Sequence, residues 1–597
     1  MSTITTTSST RFARESQVQG ESQNDASFER AAQGMLDSEF EDWPNEAGFE
    51  GLDEISGPVE LTVKGSIPSW AAGSLYRTGP GQYSVEGTPK GTFYITHWFD
   101  GFGHTHRFDI IETGDTKSPV RVEYSSKRQS PELFEAVKRD GRKPDVGFGQ
   151  KRDPCIGLFG KVMSVWRSSS EIRGPSKGPN FDNVCVTVNA NVPVLLSGAT
   201  ESGHRGGIKS IWLGTDTGLM KEVDQDTLEP IGVAHQTKLH LDLKGPLSCA
   251  HAQRDPETGD FFNYNLEMGR CPAYRVFRAN ASTRTTDILA TISGPDIKPA
   301  YNHSFFLSPS FVILCIPSTH LSFYGLSVPW MGNVADAIEP FNESKLCKWY
   351  VVDRLKGRGV VATFDSPAGF FFHSINSFEE CNEKTGDIDL YCDVIEYPNT
   401  DVIRAFDMDV ILNRGDAARN YWGDEERGRN CLARLTRRKA TIPRMNSLDG
   451  NVSTTQVTSE KIFEIKAPHA GELPIINPLY ATRNYRYAYS ISNRGYSTFF
   501  DAIVKTDLDK REASFWENPK GHTPGEPIFV PRPRAQGEKE LDEDDGVLLS
   551  VVLDGVGKTS YLLCLDAKTM KELGRAECGF PVAFGFHGLH APSSSGL

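Results

Sequence analysis

Neutral imidazole is the side chain most often found on a protein-bound transition metal, and this 597-residue chain carries fourteen histidines. Most histidines in any protein are satisfied core or surface groups, so context has to separate ligands from the rest. Four share one context. His251 sits in LSCAHAQRDPETGD, between small residues and a hairpin, and His303 in PAYNHSFFLSPSFVILC, at the mouth of a strand. His373 follows three phenylalanines in GFFFHSINSFEE, and His587 lies in VAFGFHGLHAP, between apolar residues and a glycine. Each stands where a strand meets a turn, beside bulky apolar groups. Such burial suits neutral imidazoles gathered around one metal ion. The four are far apart in the chain and form no local motif, so residue types alone leave them as candidates.

Other constellations carry less chemistry. His104-Thr105-His106 followed by Glu112 superficially resembles a cupin metal motif, but Trp98 stands where that pattern needs glycine and no second motif follows. The acidic run LDEDDG (541–546) could hold Ca2+ or be a solvated hairpin tip. RTGPGQYS (77–84) lacks the Lys-Ser/Thr and later glycine of a phosphate loop.

The elements that must position the histidines read as short strands. FVILCIP (311–317), DIDLYCDVIEY (387–397), GVLLSVVL (546–553) and SYLLCLD (560–566) are apolar or alternating runs rich in β-branched residues. Polar turns of one flavour recur at 224–232, 255–264, 382–391 and 566–574, each an Asp/Asn/Glu-Thr turn between two strands, which is a hairpin signal. Many short strands without alternating long helices argue against α/β and for a β-propeller, in which radial repetition protects strand edges. Two stretches break the strand pattern. In DPCIGLFGKVMSVWR (153–167), Ile156, Phe159, Met163 and Trp166 recur at helical spacing; HLSFYGLSVPWMGNVADAI (320–338) is apolar and almost uncharged. Both can be core, or an exposed patch that dips into a membrane surface.

Composition narrows the class further. Hydrophobic residues make up 38% and aromatics 10%, ample for a large core, and 55 glycines with 35 prolines fit a turn-rich fold. The net charge of −14 and the lack of a basic stripe exclude nucleic acid as an expected partner. Eleven scattered cysteines without C-x-x-C spacing read as free thiols of a cytoplasmic protein. The N-terminal stretch lacks an apolar signal segment, and no apolar run approaches the ~20 residues of a transmembrane helix. Residues 1–48 are expected to be a disordered tail and 49–597 one continuous propeller domain.

From about Gly51 to His590 the chain resembles the carotenoid cleavage oxygenases. GSIPSWAAGSLYRTGPGQY (65–83) is similar to the family's opening segment, and HWFDGFGHTHRFDI (97–110) to its FDGxGxxHxF segment. FEIKAPHAGELPIINPLY (463–480), EPIFVPRP (526–533) and EDDGVLLSVV (543–552) match specifically, and the four histidine contexts match the family's metal-binding segments one by one.

The resemblance implies an all-β fold, a seven-bladed β-propeller with a helical and loop dome over its top face. It implies one Fe(2+) on the axis held by His251, His303, His373 and His587, with O2 as co-substrate, His590 being a decoy. It also implies three carboxylates behind the ligands: Asp216 in LGTDTG, Glu472 in GELPIIN and Glu526 in GEPIFV. Asp216 departs from the glutamate usual there, so the backbone comes closer, a water bridges, or that ligand is held less firmly. The implied reaction splits a C=C bond of a hydrophobic polyene in an apolar tunnel, for which 305–311, 369–373 and 584–588 supply aromatics. HTHRF (104–108) and FGFHGLH (584–590) look most similar to the fungal branch that cleaves torulene to β-apo-4′-carotenal in neurosporaxanthin biosynthesis. A stilbene-cleaving branch uses a tyrosine and a lysine, for which Tyr94 and Lys127 are the nearest candidates. A carotenoid-binding propeller without activity is the reading from another class. The resemblance also implies a peripheral place on membranes or lipid droplets, and Cys155 resembles a cysteine that can carry a lipid in animal relatives.

Overall fold

One turn sequence, Asp/Asn-x-x-Thr-x, organises much of the chain. The computed structural model describes residues 17–18, 21–115, 119–151, 176–196, 207–444 and 454–593. In it the turns beginning at Asp224, Asp255, Asn280, Asn382 and Asp566 share one conformation. The first side chain accepts a hydrogen bond from the threonine N–H at 2.7–3.3 Å. The fifth residue (Leu228, Gly259, Arg284, Gly386, Met570) has φ between 56° and 75°. The short polar side chain thus replaces a ladder bond, and the left-handed residue reverses the chain so that the next strand pairs antiparallel. Each of the four turns expected from the sequence joins two paired strands: Leu219–Val223 with Pro230–His235, Gln253–Arg254 with Phe261–Glu267, Phe370–Cys381 with Ile388–Tyr397, and Thr559–Asp566 with Glu572–Glu577.

Among the described residues the sheets that result have four, five or ten strands, with one two-stranded ribbon beside them, almost all antiparallel, so the fold is all-β and propeller-like. Among the strands of the described residues one parallel pair, Val360–Ser366 with Thr455–Gln456, decorates a sheet. Strand Phe311–Ile316 shows how the core is made. All six residues are buried. Phe311, Ile313 and Cys315 pack with Trp349 on one side, while Val312, Leu314 and Ile316 pack with Tyr264 and Tyr274 on the other. A strand covered on both faces is continuously apolar rather than alternating. The chain ends close the ring: Gly73–Gln82 pairs with His587–Pro592, placing Thr78 opposite His587.

Short helices Asp401–Ala405, Met408–Ile411, Ala417–Trp422 and Glu425–Asn430 interrupt the sheets. Their apolar residues Val402, Ile403, Met408 and Trp422 join a cluster containing Phe372 and Phe586, neighbours of two candidate ligands.

The N-terminal expectation needs correction. Within the span read as a disordered tail, residues Glu21–Leu36 form a helix. Phe28, Ala31 and Ala32 pack against Leu432 and Ala467, and the Asn24 amide both donates to Lys466 O at 2.8 Å and accepts from its N–H at 3.0 Å. The spacing of Phe28, Ala31, Ala32 and Met35 is that of one helical face; the polar residues around it conceal the signal. The expected helix at 153–167, with Cys155, lies outside the described residues.

Candidate metal centre

Four local devices deliver the histidines to one point. His251 follows the short strand Leu247–Ser248 and forms a bridge with Ser304, beside His303. His303 lies three residues before the start of Phe306–Leu307, whose edge position leaves the preceding backbone free to turn inward. His373 lies at a register break in strand Phe370–Cys381, between Phe371 and Ser374; such bulges re-aim a side chain. His587 opens the last strand. The ligand atoms of the four lie within 4.8 Å of one another. The Nε2 atoms of His373 and His587 are 3.3 Å apart, close to the ~3 Å expected of two cis nitrogens on an ion with bonds near 2.1 Å.

Three imidazoles are held from behind. His303 Nδ1 donates to both oxygens of Asp216 at 2.9 Å, His373 Nδ1 to Glu472 Oε2 at 2.5 Å, and His587 Nδ1 to Glu526 Oε1 at 2.7 Å. A proton held on Nδ1 leaves the Nε2 lone pair facing inward, the tautomer that a metal needs. His251 has no carboxylate beside it among the described residues, and its buried Nε2 has no hydrogen-bond partner. Burial, then the three neighbouring histidines, depress its pKa well below the ordinary value. Burial likewise pulls His587 down to about 4 against the opposing pull of Glu526. Burial raises the pKa of Glu472 and Glu526, but their histidine partners outweigh it and both carboxyls titrate below the usual range, with Arg77 adding to the effect at Glu526. Neutral nitrogens converging on a shared point, one of them orphaned, in a ring of anionic carboxylates are the donor set of a divalent cation.

The seven residues proposed from the sequence are therefore brought together. Of the possibilities for Asp216, the structure has the direct bond. Its turn is tucked in by Ser248 N–H donating to Asp216 O at 2.9 Å, which compensates for the shorter side chain. His590 turns away and bonds Ala71 O. Sequence reasoning missed the next partners outward. Tyr301 Oη donates to Asp216 at 3.1 Å, Tyr397 Oη to Glu472 at 2.6 Å, and Arg77 Nη1 to Glu526 Oε2 at 2.5 Å. Tyr301 had a signal, standing two residues before His303; Arg77 had one as a lone charge in the otherwise uncharged SLYRTGPG.

The tunnel expectation splits. Phe372 and Phe586 join Phe99 and Phe406 in a cluster of edge-to-face contacts, with Phe99 and Phe406 stacked, and ring centroids 5.2–6.1 Å apart, next to the histidines. Phe306, Phe311 and Phe371 instead fill one layer between sheets and Phe305 another; alternation along the strand sends Phe371 to the face opposite Phe372. A cavity of about 40 Å3 against Glu472, Tyr397, Phe406 and Phe499 adjoins the aromatic cluster. Tyr94 and Lys127 do not meet here: Tyr94 is exposed, and Lys127 bonds Glu54 and Glu229. In the acidic turn 541–546 Asp544 pairs with Lys505 and Asp542 with Lys568.

A buried four-histidine centre in an all-β, propeller-like frame defines a small class of metalloprotein, and comparison with known proteins identifies it. A family model described as retinal pigment epithelial membrane protein matches residues 48–592, so the chain belongs to that family, the carotenoid cleavage oxygenases. A carotenoid dioxygenase of Neurospora crassa is 51% identical over 589 residues, 95% of this chain and 94% of its own. A torulene dioxygenase of Fusarium fujikuroi is 47% identical over 572 residues, 94% of this chain and 96% of its own. The fold matches the crystal structure of cobalt-substituted Synechocystis ACO with a TM-score of 0.65 at 21% identity, over 92% of this chain and 98% of that one.

Proposed function

We propose that the chain is an Fe(II)-dependent dioxygenase that splits one C=C bond of a carotenoid, with torulene as substrate and β-apo-4′-carotenal as the long product. The observation that carries this reading is the quartet of inward-facing neutral imidazoles beside a cluster of phenylalanines. Iron(II) held by the four histidines would supply the redox chemistry that lets O2 react with a double bond. The balance is simple: one C=C and one O2 become two C=O groups, with no proton to move. The protein's tasks are accordingly few. Asp216, Glu472 and Glu526 hold three ligands in one tautomer. Phe99, Phe372, Phe406 and Phe586 exclude water and grip a polyene, which offers almost nothing to hydrogen-bond and must be recognised by shape. Torulene is favoured over other polyenes by the torulene dioxygenase at 47% identity across nearly the whole chain.

We read the frame as seven-bladed. Support comes from the ten-stranded sheet, which divides at Val59–Gly65: Thr62–Gly65 pairs with Glu572–Glu577, and Val59–Leu61 pairs with Val120–Arg128. Two blades there, added to five other sheets of at least four strands, make seven.

A polyene has to be drawn from lipid. Phe323, 78% exposed, stands with Tyr324, Leu326, Trp330 and Met331 on one exposed apolar patch within 320–338. We assign this patch to a peripheral membrane or lipid-droplet contact. No helix among the described residues is long and apolar enough to cross a membrane. Phe323→Ser with Trp330→Ser should abolish co-sedimentation with phosphatidylcholine vesicles while sparing turnover in detergent; undiminished sedimentation would reject the assignment.

The decisive experiment incubates iron-loaded protein in micelles under air with torulene, β-carotene or resveratrol and analyses products by chromatography and mass. A single long apocarotenal from torulene supports the reading. Benzaldehydes from resveratrol would transfer the chain to the stilbene branch, and absence of product with iron bound would favour a carotenoid-binding propeller.

A further inference from the structure

The three carboxylates behind the histidines are not equivalent. Asp216 accepts from His303, from the Tyr301 hydroxyl and from Ala250 N–H at 3.0 Å. Glu472 accepts from His373, from the Tyr397 hydroxyl and from Leu473 N–H at 3.3 Å. Glu526 accepts from His587 and from Gly588 N–H at 2.9 Å, but its third partner is a cation, Arg77. Arg77 is 3% exposed, and its guanidinium also reaches Glu526 O at 3.4 Å and Phe586 O at 3.3 Å. The last strand makes room for it: a Cβ at Gly588 would stand 2.6 Å from Arg77 Cδ. On the far side His106 opposes Arg77 across the ladder and His104, two residues earlier, opposes Gly79; both are buried. Burial, with the adjacent positive charge of Arg77 contributing at His106, keeps those two imidazoles uncharged, His104 titrating at about 3. They add no charge of their own.

We propose that Arg77 is a positioning residue that sets the charge balance of the metal centre through Glu526. This rests on the four-histidine iron reading above. With the four ligands neutral, a divalent ion and three carboxylates sum to one negative charge; Arg77 brings the total to zero. Its guanidinium takes one Glu526 oxygen and leaves the other for His587, so it fixes where the carboxylate points and weakens its pull on the His587 N–H. In a buried site one unit charge a few bonds away shifts a one-electron equilibrium by an order of magnitude or more.

The test is a cycle read as the Fe(III)/Fe(II) midpoint potential of the iron-loaded full-length protein. Arg77→Met removes a positive charge and should favour Fe(III) about tenfold, lowering the potential by roughly 59 mV for one electron. Glu526→Gln removes a negative charge and should move it about as far upward. The double variant restores neutrality and should return near wild type, and Arg77→Lys, which keeps the charge, should stay there too. Should Met at position 77 impair folding, judged by the melting transition, Arg77→Gln removes the charge, keeps a donor for Glu526 and carries the same expectation. Shifts of one sign in both single variants, or no shift, would assign Arg77 to packing and overturn the proposal. A wild-type chain that takes up no iron would overturn the iron reading together with it; normal iron uptake with unmoved potentials overturns the role of Arg77 alone.

Discussion

Asp216 offers the sharpest test of how the centre is held, because the resemblance to the carotenoid cleavage oxygenases implies a side chain one methylene longer there. Its carboxylate takes three N–H or O–H donors, from His303, Tyr301 and Ala250. Asparagine presents one oxygen where three donors converge, and it replaces a charge-assisted bond to His303 by a neutral one. Charge-assisted bonds contribute about 1.5–3 kcal/mol and neutral ones about 0.5–1.5, so Asp216→Asn should lose about 1–2 kcal/mol of ligand positioning. At 1.4 kcal/mol per tenfold that is roughly 5–30-fold in metal affinity, overlapping the lower part of the ~10–100-fold typical of residues that orient metal ligands. Asp216→Glu is the more telling variant. The oxygens already lie 2.9 Å from His303 Nδ1, and a further C–C bond of about 1.5 Å pushes the carboxylate into the imidazole unless the turn backs away. Glutamate should therefore weaken metal binding by about tenfold. The assay is anaerobic Fe(II) competition against a chromophoric chelator. Affinity equal to or above wild type in Asp216→Glu would refute the argument that this turn is drawn in to suit the shorter side chain.

Three other outcomes follow from the same geometry. His251→Ala should abolish stoichiometric iron and turnover, whereas His590→Ala, three residues beyond His587, should keep both; metal analysis decides, and retained iron in His251→Ala would remove it from the centre. His104 is fully buried and titrates at about 3, below the ~6.5 of an unfolded histidine. The unfolded chain then binds the proton first, so stability is lost as the pH falls below about 6.5. Between pH 7 and 5 this one group should cost about 2 kcal/mol; urea titrations of wild type and His104→Gln should differ by that amount in pH dependence, and equal slopes would place His104 in contact with solvent. Asn24→Ala should destabilise by about 1–2 kcal/mol, since it strands the Lys466 N–H and leaves Lys466 O with His469 N–H as its donor; an unchanged melting curve would return residues 21–36 to the status of a loose tail.

Legibility in the sequence followed the range of each interaction. The Asp/Asn-x-x-Thr turns were readable because Asp255 or Asn382 bonds atoms two or three residues away, and a local cause leaves a local signature. The strand 311–316 was readable because burial on both faces makes every residue apolar. The histidines were legible as environments, an imidazole beside Phe372 or Phe586, but nothing local says that His251 and His587 share a point; the resemblance supplied that. Arg77 and Tyr397 stayed hidden because their partners, Glu526 and Glu472, are remote in sequence. The helix at 21–36 was missed for a different reason: its apolar face is narrow, and its stability comes from Leu432, Ala467 and Lys466 rather than from its own composition.

Closure of the ring and completion of the metal centre are one event. His587 is brought to the centre by the strand that pairs with Gly73–Gln82, and Arg77, which steadies Glu526 behind His587, is on that same pairing strand. Opening this seam would remove one ligand, loosen its carboxylate and expose a buried cation together. A metal ion that binds the closed ring and not the open one stabilises the seam by RT ln(1 + [M]/Kd), about 4 kcal/mol at a thousandfold excess over Kd. An ion held there would therefore act as a fastener of this seam as well as a reaction centre. The buried Arg77–Glu526 pair gains from the same coupling: separated, each charge would be costly to leave in the interior, so the seam resists partial opening. The seam between Gly73–Gln82 and His587–Pro592 thereby acquires rigidity that neither strand could give it alone.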